Sequence, residues 1–164
     1  MEKLKLKKSS VVFLVLTSLS ALFFISNSLA SAEVSSAESG FFVSFIADNI
    51  FHTSNPEMIS SITFIVRKLA HFTEFALFFA FFNSFVISLD LYKNRLYCFL
   101  TMFIALLVPL LDETTQYLSP GRTPKVYDIW VDAAGCIFGI VVSAVIFSLC
   151  RRNSRKITKY VERQ

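Results

Sequence analysis

From Val11 to Ala30 the chain runs for twenty residues without a charge. That is the length an α-helix needs to cross the roughly 30 Å hydrocarbon core of a bilayer at about 1.5 Å per residue. Three further apolar stretches follow, at about Leu69–Leu89, from Leu96 into Leu111, and at about Ile129–Cys150. In lipid the backbone must satisfy its own hydrogen bonds, so stretches of this length become helices. Composition agrees: only 17% of residues are charged, against roughly 25% in soluble domains, and the mean hydropathy is +0.59. With four Gly and four Pro in 164 residues, the chain is too poor in turn formers for a loop-rich or disordered protein. The fold class read from these features is all-α, an integral membrane four-helix bundle.

The segments between the spans sharpen the outline. Residues 31–57 are largely polar, but an apolar patch from Gly40 to Phe51 predicts a short interfacial helix. Arg67 and Lys68 precede the second span, and the apolar Ile59–Val66 permits an earlier helix start. The third span continues as a polar helical end through Asp112–Tyr117 until Pro120 and Gly121 break it. Ala30, Ser31 and Ala32 after a basic head also fit a signal-peptide cleavage site, whereas an apolar core longer than the usual 7 to 15 residues or so favours a retained anchor. The organisation expected is an anchor and outer segment at 1–58, a membrane domain at 59–150 and a basic tail at 151–164. Cys98, Cys136 and Cys150 lie in apolar stretches without metal-ligand spacing and are expected as small buried hydrophobes.

Orientation follows from the flanking cations, because short cytoplasmic loops hold the excess of Lys and Arg. The head, the link between the second and third spans, and the tail together hold twelve. The opposite side holds four, Arg67, Lys68, Arg122 and Lys125. Both termini are therefore assigned to the cytoplasm, with the basic ends as membrane-surface anchors and no nucleic-acid partner.

This topology gathers scattered polar residues at one boundary. The second span begins there, the third ends there and the fourth begins there. His71 and Glu74 are spaced i, i+3, Asp112 and Gln116 i, i+4, and Asp128 and Asp132 i, i+4, so each pair shares a helix face. Ionisable groups at membrane depth are costly, about 2.5 to 3.5 kcal/mol at a helix centre. Glu74 and Asp132 should lie deepest, each needing a partner such as His71 or Arg122, while Asp128 suits a helix N-terminus and Glu113 is free to face water. A His one turn from a carboxylate is a proton-transfer arrangement, so His71, Glu74, Asp112 and Glu113 are the catalytic candidates. Lys68, Gln116, Arg122, Asp128 and Asp132 are the binding candidates. Gly135 and Gly139 form a G-x-x-x-G that permits close helix packing. The acids and His71 have the chemistry for a divalent cation, but their ligands come from three helices at undiagnostic spacing, so no metal and no cofactor are assigned. Nucleophile-elbow, zinc-helix and phosphate-loop motifs are absent.

The blocks R-K-L-A-H-F-T-E-F at 67–75, D-E-T-T-Q-Y-L-S-P-G-R-T-P at 112–124 and Y-D-I-W-V-D-A-A-G at 127–135 resemble the VanZ-like family of bacterial membrane proteins. The resemblance covers about Ile59–Leu149, and its recurrent polar positions correspond to Lys68, His71, Glu74, Asp112, Glu113, Gln116, Arg122, Asp128, Asp132 and Gly135. It implies a multi-pass protein of the bacterial cytoplasmic membrane, in a family named for an accessory member of glycopeptide-resistance clusters associated with reduced teicoplanin susceptibility. Three functions stay open: an envelope protein whose outer-face site binds a lipid-linked cell-wall precursor, a lipoglycopeptide or another amphiphile; a membrane enzyme modifying such a lipid; and a structural or partner-binding protein. Membrane lipids are partners in each.

Overall fold

A computed structural model describes residues 7–118, 121 and 125–161, with Ala32 and the last eight as backbone only. The described residues form five α-helices: α1 Lys8–Leu29, α2 Ala32–Ile46, α3 Pro56–Ser88, α4 Arg95–Tyr117 and α5 Val126–Val161. Four of them, all but α2, are long and apolar enough to cross a membrane. Their outward faces stay apolar, with Leu19, Leu22, Phe23, Leu106, Leu111, Val141 and Ile146 exposed, as a lipid-facing surface requires. The all-α membrane bundle is thus the observed architecture.

Local chemistry sets the helix limits. Asn55 caps α3, its side chain accepting from the Glu57 N–H at 3.0 Å, with Pro56 at the first helical position. Helix α3 therefore starts well before Leu69 and takes in Ile59–Val66. Asn94 caps α4 through the Leu96 N–H at 2.9 Å. Before α3, the helical segment is longer than its apolar patch suggested: Ser31 caps α2. A π-helical turn, Ala47–Phe51, then ends at His52 in the left-handed region. Helix α5 runs on past Cys150 to Val161, so the basic tail continues the helix up to that residue.

Helices α3 and α5 form the most extensive pair; α1 and α2 lie against α3, and α4 packs chiefly on α5. The α3–α5 contact is backbone-close. A Cβ added at Gly135 would meet the Phe72 carbonyl oxygen at 2.5 Å, and one at Gly139 the Ala76 carbonyl oxygen at 2.1 Å. Phe75, Phe79, Ala105 and Cys136 make the core, with Phe24, Phe78 and Phe82 packed around it. Cys136 is buried as expected, but Cys98 and Cys150 are exposed on the bundle surface. Polar bridges hold the helices in register: Ser88 donates to Ser10 at 2.9 Å, and Asn83 to Ser143 at 2.8 Å.

At the end where α1 begins and α3 ends, Asp90 joins three segments. Its carboxylate lies 3.1 Å from Lys93 Nζ, 3.2 Å from Lys7 Nζ and 3.7 Å from Arg151 Nη2. Hydrogen bonds from Lys93 and then Lys7 hold this carboxyl below its ordinary range. Counting about 20 residues from that end along each span places the opposite bilayer boundary near Leu69 on α3, Thr114 on α4 and Asp132 on α5. Exposed Tyr117, Tyr127 and Trp130 ring this second boundary as interfacial aromatics do.

Candidate functional site

The second boundary is where α3, α4 and α5 bring their polar residues together. Lys68 on α3 donates to Asp128 in the first turn of α5, both largely buried. The Lys68 ammonium also lies 5.4 Å from the Phe64 ring centroid and 5.8 Å from that of Tyr127, contacts that favour a partly desolvated cation. One turn along α3, His71 Nδ1 stands 3.7 Å from Asp132 Oδ1. On α4, Gln116 Nε2 donates to Asp112 Oδ2 at 2.7 Å. Glu113 accepts from the backbone N–H of Lys125, closing the α4–α5 connection.

Burial differs from expectation in an informative way. Asp132 is the deepest acid, at 0% exposure. Asp112 and Glu113 are buried with it; of the two placements open to Glu113, water or the polar cluster, its bond to Lys125 goes with the buried one. Glu74 is half-buried and faces the other side of α3, where Asn27 of α1 donates to its Oε1 at 2.9 Å. The i, i+3 spacing puts His71 and Glu74 on one face, and both line a cavity toward α1 and α2, while His71 also reaches Asp132 of α5.

Two cavities flank α3 here. One, of about 380 Å³, is lined by Ser60, Thr63, Phe64, Arg67, Lys68, His71, Gln116, Gly121, Lys125 and Asp128. The other, about 310 Å³, lies toward α1 and α2 and includes Asn27, Ser35, Glu38, Arg67, His71 and Glu74. Arg67 and His71 thus border both. The first joins three cations to a His and an amide at the membrane boundary, an arrangement suited to an anionic group. His71, Asp112 and Asp132 each offer a ligand atom within 4.8 Å of the others, and so have the spacing to hold a cation.

Of the sequence-derived candidates, Lys68, His71, Asp112, Gln116, Asp128 and Asp132 converge, Glu113 joins them through the loop, and Glu74 faces away toward α1. Gly135 and Gly139 lie on the α3–α5 contact. Arg122 and its expected pairing with a carboxylate lie outside the described residues. Sequence reasoning passed over Asn27, Arg67 as a cavity wall, and Lys125. A lone amide in an otherwise apolar span was the available signal for Asn27; Arg67 was counted for its charge alone.

A family model described as VanZ/LLP1 matches residues 11–148. The match includes most of α1 as well as the three helices that build the site. Among curated proteins and among solved structures, nothing matches the chain.

Proposed function

The chain belongs to the VanZ/LLP1 family, and from that premise we propose that it is an envelope protein whose outer-face cavity binds the anionic headgroup of an amphiphile. The ligand's apolar chains lie in the bilayer beside the exposed helix faces while its headgroup meets Arg67, Lys68 and Lys125. The observation that carries this reading is the 380 Å³ cavity with those three cations and a single carboxylate, Asp128, on its wall, a net positive lining that suits phosphate or carboxylate. A lipid-linked cell-wall precursor and a lipoglycopeptide both have this chemistry. Capture of either lowers the access of teicoplanin-type antibiotics to their target.

The Lys and Arg excess beside the termini supports the outer position of the cavity. A second reading, an enzyme modifying an envelope lipid, is favoured by one specific feature: a fully buried carboxylate, Asp132, set 3.7 Å from His71 beside that cavity. Such a pair is a candidate acid–base unit. A purely structural role would make the polar cluster helix glue.

Expression in a susceptible Gram-positive host separates these readings. Wild type should raise the inhibitory concentration of teicoplanin, and Arg67→Ala and Lys125→Ala, whose side chains line the cavity, should lose that protection at equal membrane abundance. Parallel loss of protein and protection supports the structural role, and a wild type that gives no protection removes the resistance part of the proposal.

A further inference from the structure

We propose that His71, Asp112 and Asp132 form a site for one divalent cation, Zn²⁺ or Mn²⁺, clamping α3, α4 and α5 together at the wall of the outer cavity. The inference goes beyond ligand binding, because occupancy by the cation requires no lipid.

Geometry is the first support. The three donor atoms lie within 4.8 Å of one another. His71 Nδ1 and Asp132 Oδ1 are 3.7 Å apart, beyond the 3.2 Å or so of a hydrogen bond. Two ligands bound at about 2.1 Å to one ion, roughly 110–120° apart, stand about 3.4–3.6 Å from each other. The pair thus has the separation of co-ligands.

Burial is the second and independent support. Asp132 is fully buried, and neither of its carboxylate oxygens receives a hydrogen bond from a described residue. A carboxylate removed from water without donors is among the most costly groups a fold can carry, and a cation beside it supplies both the charge and the missing contacts. Other acids crowd the same region without relieving it: Asp128 is engaged by Lys68, and Glu113 by the Lys125 backbone. Two aspartates with a neutral imidazole match the charge of a divalent cation in a low-dielectric setting.

The ligand set indicates the class of ion. One imidazole with two carboxylates suits Zn²⁺ or Mn²⁺ better than Mg²⁺, which prefers oxygen alone and keeps its waters. Gln116, donating to Asp112 at 2.7 Å, acts as the positioning residue that such sites place behind a ligand. Three protein ligands fall one short of a tetrahedral set, which leaves a coordination position for a water or another small oxygen donor.

The test uses the full chain purified in mild detergent, stripped with chelator, supplied with Zn²⁺ or Mn²⁺ alone, desalted and analysed by elemental mass spectrometry. Wild type and Asp90→Asn, whose change lies at the other end of the bundle, should each retain close to one equivalent. His71→Ala, Asp112→Asn and Asp132→Asn should bind at least tenfold more weakly, and Gln116→Ala about tenfold more weakly. Metal should raise the thermal midpoint of wild type and leave that of the ligand variants unmoved. Comparison is restricted to variants eluting as a single folded species; if Asp132→Asn does not, His71→Ala and Asp112→Asn decide. A wild type that retains no metal, or ligand variants that retain as much as wild type, overturns the proposal. Metal bound without co-purified lipid would sink the ligand reading alone, and lipid bound without metal would sink this inference alone.

Discussion

Lys68 shows how one side chain can serve both stability and recognition. It reaches Asp128 across the α3–α5 contact and borders the 380 Å³ cavity. With each partner less than one-fifth exposed, Lys68→Ala leaves a largely buried carboxylate without its cation and should cost about 2 kcal/mol in detergent unfolding, below the 3–5 kcal/mol of a fully buried pair. The double variant Lys68→Ala/Asp128→Ala should recover more than half of that loss; strictly additive losses would mean that the pair is not coupled. At this scale the sequence was legible where helical spacing operates, as for Asp112 with Gln116. It was illegible where partners are distant in the chain. Nothing local links Asn27 to Glu74 forty-seven positions away, or Lys125 to Glu113 through a backbone N–H.

Among the elements, α5 against α3 carries the closest contact, and the two glycines there differ physically from Gly40. An alanine at position 139 would drive a Cβ to 2.1 Å from a backbone oxygen, whereas nothing lies within 4 Å of a Cβ at position 40. Gly139→Ala should therefore push the helices apart and cost about 1–3 kcal/mol or more, while Gly40→Ala should be neutral or stabilise α2 by about 0.5–1 kcal/mol. Thermal unfolding of both variants checks this, and equal midpoints would refute the close contact. Span positions were readable because a charge-free run of membrane length has few other folds open to it. Helix ends were less so. The Asn55–Pro56 start of α3 is a capping signal, but an apolar-span reading begins at the last flanking charge and so places the helix start after Lys68.

On the scale of the whole molecule, charge asymmetry and packing agree on two unlike ends. One gathers Lys7, Lys93 and Arg151 around Asp90; the other buries Asp112, Glu113 and Asp132. With Cys98, Cys136 and Cys150 replaced, Ser54→Cys should react with an impermeant maleimide in intact cells and Asn153→Cys only after permeabilisation; the reverse pattern would invert the orientation. The central claim is that the cation-lined cavity at the outer end binds an anionic amphiphile, and lipid mass spectrometry of the detergent-purified protein tests it most directly. Wild type should carry a phosphate-bearing or otherwise anionic lipid in stoichiometric amount, reduced at least tenfold in folded Arg67→Ala/Lys68→Ala protein. Equal lipid retention by wild type and variant, or a wild type that carries none, would contradict the account.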